Sequence, residues 1–169
     1  HDRLNKGNPY EGSARVPMLI RFPDKRSAGF VYEQPVGTVD IAPTLLHLAG
    51  NNSSAHDFQG RDLSEDFHRG VSGEMTKHTF LRNAGTKASW ICVVDSRYKL
   101  VLSVNDRPWL FDSQQDPDEL HNFFGRPGSE EVTRALAEAL KSYSIESSDT
   151  FAEQPTIAKS LNLCLHMGL

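Results

Sequence analysis

Ser89-Trp90-Ile91-Cys92-Val93-Val94-Asp95-Ser96-Arg97-Tyr98-Lys99-Leu100-Val101-Leu102-Ser103-Val104-Asn105-Asp106-Arg107-Pro108-Trp109-Leu110-Phe111-Asp112 is the stretch whose pattern decides the fold. It holds three apolar runs, Ser89–Asp95, Tyr98–Val104 and Trp109–Asp112, each of strand length and rich in β-branched and aromatic residues. Asp95-Ser96-Arg97 and Asn105-Asp106-Arg107-Pro108 lie between them, and short polar segments of this kind suit tight turns. Thr79–Arg82 supplies one more strand upstream. Four strands joined by short turns predict an antiparallel meander.

Outward from the meander, Asp116-Pro117-Asp118 reads as a further turn. Ser129 is placed to cap a helix from Glu130 to about Tyr143, with Glu130 and Glu131 at its positive end. Val132, Leu136, Leu140 and Tyr143 recur at helical spacing and are expected to lie on the sheet. Residues 145–169 are Ser-rich and then weakly amphipathic, which leaves a docked tail and a partly disordered one both open. Upstream, residues 51–78 read as a loop, rich in Asn, Ser, His and Gly, and the subdomain boundary is placed there. Asp40–Ala49 reads as a helix: Asp40 can cap it, Pro43 sits in its first turn and Gly50 ends it. Val16–Phe22, bounded by Pro17 and Pro23, fits a short buried strand. A polar connection over 24–37 follows, with a short strand expected at Phe30–Tyr32, and residues 1–15 form a loop leading in.

Composition removes several classes. The chain has 169 residues, 38% hydrophobic and 24% charged, so a packed core is expected rather than disorder. Net charge is -4 and no long Lys/Arg block occurs, which argues against a nucleic-acid partner. No apolar run reaches the roughly 18–20 residues of a membrane span. His1 falls within a loop and no signal-peptide pattern opens the sequence, so it is read as a piece of a longer protein whose compartment its start does not reveal. Cys92 and Cys164 are far apart and form no zinc-type cluster. Cys92 reads as a buried inert thiol, and whether the two cysteines pair is left open.

Three blocks carry a resemblance. The first is Asn5-Lys6-Gly7-Asn8-Pro9-Tyr10-Glu11-Gly12-Ser13-Ala14-Arg15-Val16-Pro17. The second is Val36-Gly37-Thr38-Val39-Asp40-Ile41-Ala42-Pro43-Thr44-Leu45-Leu46, followed by Gly60-Arg61-Asp62-Leu63. The third is Ser96-Arg97-Tyr98-Lys99-Leu100, then Trp109-Leu110-Phe111-Asp112, Asp116-Pro117 and Glu119. In order and spacing they resemble the carboxy-terminal portion of the sulfatase family, within the alkaline phosphatase superfamily, over residues 1 to about 143.

The resemblance implies an α/β fold. Residues 1–50 would be the end of a large parallel-sheet catalytic domain, 51–78 a linker, 79–144 a small four-stranded antiparallel sheet packed by a C-terminal helix, and 145–169 a tail. It also implies that Lys6 binds a sulfate oxygen and the bridging ester oxygen. Charge builds on that leaving oxygen as the S–O bond breaks, and a fixed ammonium stabilises it more in the transition state than in the ground state. His1, five residues earlier, would sit at the rim of the site. Glu11 and Arg15 would support the site as a charge pair bracing the loop, Tyr10 would pack, and Gly7 and Gly12 would supply turns.

The histidines at 47, 56, 68, 78 and 121 share no metal spacing, and Asp116, Asp118 and Glu119 read as a solvated turn. The family's nucleophile is a formylglycine made within Cys/Ser-x-Pro-x-Arg, and its calcium is held by paired acidic residues. Neither pattern is present here. No catalytic residue or metal ligand is therefore expected in this chain, and both cofactors are expected in a parent enzyme. The implied partners are the missing amino-terminal part and a sulfate ester, with a periplasmic or secreted setting by family. Open apolar edges at Val16–Phe22 and the 41–49 helix leave pairing with another copy open. Two alternatives stand beside this reading: a non-catalytic binding or oligomerisation module, and a piece of a related phosphonate or phosphodiester hydrolase.

Overall fold

The structure, a computed structural model, describes residues 7–51, 58–72, 78–84 and 89–168. The chain forms two compact units, one of residues 1–16 with 80–169, the other of residues 17–79.

The larger unit is built on a four-stranded sheet of order β1-β2-β3-β4: Thr79–Asn83, Trp90–Val94, Tyr98–Ser103 and Trp109–Asp112. β2 pairs with β3 and β3 with β4 antiparallel, with Cys92 opposite Val101 and Val101 opposite Trp109. The expected meander is present, with each strand within a residue or two of its expected bounds. Its middle strands are apolar on both sides because both faces are covered. Ile91, Val93, Leu100, Leu102 and Leu110 pack under helices. Trp90, Cys92, Val101 and Phe111 form the opposite face, which Tyr10 helps to cover.

α4, Glu130–Glu146, lies on the first face through Leu136, Ala137 and Leu140, all essentially inaccessible to water. Tyr143 stacks on Phe80 with ring centroids 4.0 Å apart. Ser129 holds the N-cap position, but its hydroxyl donates to the Arg126 carbonyl instead of capping. The tail is docked. The Asp149 carboxylate accepts from the Phe151 N–H, a 3₁₀ turn follows at Thr150–Glu153, and α5 spans Pro155–Leu165. Proline suits that helix start, where an N–H has no intrahelical acceptor. Phe151, Ile157, Leu161 and Cys164 complete the core.

Cys92 and Cys164 are both free and buried, in the cores of opposite sheet faces, which is why they do not pair. Burial disfavours the thiolate and pushes each thiol up to about 12. Neither should react with Ellman's reagent at pH 8 in the native protein, and both should react in denaturant. Release of thiolate from the folded protein within minutes would contradict this packing.

The smaller unit begins with an unexpected result. Val16–Phe22 is not a strand, nor is Phe30–Tyr32. Leu19 is 96% exposed and Val16 58%. A strand needs a neighbour to take its N–H and C=O groups, and this apolar run has no ladder partner among the described residues. The expected helix is present as α2, Ile41–Leu48, after a 3₁₀ turn at Thr38–Asp40, and Gly50 ends it with φ +83°. Asp40 makes no side-chain cap on α2, because its carboxylate is engaged elsewhere. The stretch read as loop also contains a helix, α3, Ser64–Arg69, closed by left-handed Gly70. No described helix is long and apolar enough to cross a membrane.

α2 is locked to the Gly60–Leu63 segment. Asp40 is 2% exposed and accepts from the Arg61 backbone N–H (2.8 Å) and guanidinium (2.6 Å) and from the Gly37 N–H (2.9 Å). The guanidinium also donates to the carbonyls of Pro35 and His78. Buried Thr44 donates to the Asp40 carbonyl at 2.6 Å, and its hydroxyl accepts from the Leu63 N–H at 3.0 Å. Burial alone would raise the Asp40 pKa, but the hydrogen bonds from Arg61 and Gly37 outweigh it and hold the carboxyl below its usual range. The second sequence block is therefore a structural clasp.

Candidate functional site

Lys6 and His1 lie outside the described residues, as does His56. The residues that follow Lys6 are described, and they are held at many points. Gly7 has φ +122°, in the region that favours glycine. Its carbonyl accepts from Trp90 Nε1 and Asn83 Nδ2, each at 2.8 Å, and its N–H donates to Ser13 Oγ at 3.1 Å. Tyr10 stacks on Trp109 with centroids 5.8 Å apart and contacts Phe111 at the same distance, so it packs as expected. α1, Glu11–Ala14, is a single turn with no buried residue.

Beneath this loop lies a charged cluster. Lys99, the second residue of β3, is 4% exposed. Its ammonium donates to the Pro9 carbonyl (2.9 Å), Glu11 Oε1 (2.5 Å) and Glu119 Oε1 (2.6 Å). Those three bonds use all its donors. Glu119, also 4% exposed, accepts the Glu11 backbone N–H on its other oxygen at 2.7 Å. Desolvating an ammonium costs several kcal/mol, and only full pairing offsets it. Glu11 thus braces the loop with Lys99 as its partner rather than Arg15, whose side chain is exposed.

One further reading changes. Of the acids in the Asp116–Glu119 turn only Asp118 is exposed: Asp116 is 7% exposed and accepts the His121 N–H, while Glu119 faces Lys99. Lys99 and Glu119 went unrecognised as partners of the loop. The signal was present, since Lys99 is in phase with Val101 on a strand buried on both sides, where a lysine must find anions. The rest of the third block is structural. Arg97 forms a two-pronged pair with buried Asp112 at 2.9 and 2.7 Å, and that guanidinium holds the Asp112 carboxyl below its usual range. The histidines take ordinary roles: His47 pairs with Asp62, His68 packs on Phe22 and His121 lies 3.4 Å from Asp116.

Among the described residues, no group of three or more His, Cys, Asp and Glu side chains could hold a metal ion. Neither buried cysteine has Pro and Arg at the offsets of a formylglycine precursor. The described side chains therefore do not fit calcium or formylglycine.

The chain belongs to the sulfatase family: residues 1–146 match the family described as N-sulphoglucosamine sulphohydrolase, C-terminal. Arylsulfatase K of Xenopus laevis is 31% identical over 138 residues, covering 75% of this chain and 25% of that protein. Arylsulfatase A of Homo sapiens is 27% identical over 199 residues, covering 98% of this chain and 38% of that protein. The chain thus spans about a quarter to two fifths of these relatives. Among solved structures, BT4656 in complex with its substrate D-glucosamine-2-N,6-O-disulfate shares the fold, with a TM-score of 0.59 at 21% identity over 69% of this chain and 25% of that one.

Proposed function

We propose that this chain serves as the C-terminal part of a sulfatase that hydrolyses sulfate esters, and that Lys6 gives the site an ammonium contact to the sulfate group. The observation that carries the reading is the convergence of the family's separated blocks. Gly7 and Glu11 of the first block are bonded directly to Trp90, Lys99 and Glu119 around the third. A loop held that firmly is suited to aim the residue at its entrance. During sulfuryl transfer the S–O bond breaks and the leaving oxygen takes up negative charge, which the Lys6 ammonium would neutralise. His1 would lie at the rim, and Glu11 would support the loop through Lys99. In the family, formylglycine supplies the nucleophile and calcium polarises the sulfate. On this reading both belong to the remainder of the enzyme.

The exposed apolar run at Val16–Ile20 supports the same view, since it is the surface on which a missing sheet partner would dock. The family description makes a sulfated hexosamine the first substrate class to assay.

Two measurements test the proposal. The purified 169-residue chain should not hydrolyse 4-nitrophenyl sulfate, and turnover by it would overturn the division of labour. In the full-length sulfatase carrying these residues, Lys6→Ala should lower kcat/KM about 10²–10³-fold, the usual loss for one charge-stabilising contact. An unchanged value would remove Lys6 from the site.

A further inference from the structure

We propose that Lys99 and Glu119 are positioning residues for the sulfate contact at Lys6, locking residues 7–15 onto the sheet from beneath; the inference rests on the role of Lys6 proposed above. The loop has little internal structure to hold it. α1 is four residues long, buries nothing, and is closed only by turn hydrogen bonds from Ser13, Ala14 and Arg15 to Tyr10 and Glu11. Its place is set by what reaches it from the meander.

Apolar packing of Tyr10 on Trp109 and Phe111 fixes distance but leaves the loop free to slide. The Lys99 ammonium, together with the Trp90 and Asn83 hydrogen bonds to Gly7, removes that freedom. It binds the Pro9 carbonyl and the Glu11 carboxylate at once, two points separated by a single residue, while Glu119 takes the Glu11 N–H. Glu119 itself has φ +53°, an uncommon conformation for a residue with a side chain. That backbone is retained where both of its carboxylate oxygens are used, one on Lys99 and one on the loop. Gly7, held by Trp90 and Asn83, adjoins Lys6 in the sequence, so on the proposed reading a shift of the loop carries the Lys6 backbone with it. Misplacement by about 1 Å can cost roughly 10²-fold in rate.

The test is a double-mutant cycle in the full-length sulfatase, with 4-nitrophenyl sulfate as the probe. Lys99→Met alone would strand the Glu119 charge, so the paired replacement Lys99→Met with Glu119→Gln is used, and Glu11→Gln, at a half-buried position, serves as the gentler variant. The pair should lower kcat/KM by about 30–100-fold, Glu11→Gln by less, and circular dichroism should report an intact fold. Placed on a Lys6→Ala background, the pair should cost under about 3-fold more, because it acts through Lys6. Additive losses would show a general structural role and overturn the proposal. In the 169-residue chain, hydrogen exchange of the Glu11–Arg15 amides should speed up at least tenfold in the paired variant while α4 is unchanged; unaltered loop exchange would also overturn it. If Lys6→Ala leaves kcat/KM intact, the sulfate role of Lys6 fails and this inference with it. If Lys6→Ala is damaging but neither the pair nor Glu11→Gln is, only the positioning role fails.

Discussion

Gly60→Ala should collapse the residue 17–79 unit. A β-carbon at position 60 would stand 1.9 Å from the Val39 carbonyl oxygen, 2.3 Å from its carbonyl carbon and 2.8 Å from the Asp40 nitrogen. These are backbone atoms, so no flexible side chain can swing aside. Moving them drags the entrance to α2 away from Arg61 and breaks the clasp that joins the two segments. Overpacking of this kind costs about 3 kcal/mol or more. A unit of this length has little stability to spare. The melting transition of the unit should fall by roughly 12–24 °C, or vanish. Gly12→Ala is the control, because a β-carbon there meets nothing within 4 Å. A Gly60→Ala melt within a few degrees of the parent would show that the close approach does not exist.

Arg61→Met should be nearly as damaging, through charge rather than shape. Asp40 would keep its burial and lose its guanidinium, and an uncompensated buried carboxylate costs about 3–5 kcal/mol. The pH dependence gives the prediction a sign. The carboxyl of Asp40 is held below its unfolded value, so its contribution is complete above about pH 5 and is lost as pH falls through the folded value. The parent should therefore lose stability in urea between pH 5 and pH 2. In Arg61→Met the loss over that window should be shallower, because the largest stabilising partner of the charged form is gone. Equal slopes for the two proteins would assign the ion pair no role.

Much of the larger unit can be read from residue order alone, because its signals are local. β2 and β3 are dense apolar runs flanked by turn residues, and α4 repeats its apolar positions at helical spacing. α2 is legible for the same reason, with Pro43 and Gly50 as punctuation. The run at Val16–Phe22 misleads because its composition records a burial that no described part of this chain provides. α3 is short and has one buried aromatic, Phe67. Its acidic first turn, basic last turn and closing Gly70 are the cues that could have found it. The Lys6 loop is legible only as a motif. Its anchorage joins residues 76 to 108 positions apart, and no local pattern encodes that pairing.

That separation sets a timetable. Glu11 leaves the ribosome 108 residues before Glu119 does. At ordinary synthesis rates the interval is roughly 5–20 s, long compared with the time a helix or hairpin needs to form. The loop beside Lys6 therefore waits unanchored while α2 and the meander are still being made. Its fixation cannot precede the delivery of Glu119, so the anchorage of residues 7–15 comes later than the folding of α2 and the meander.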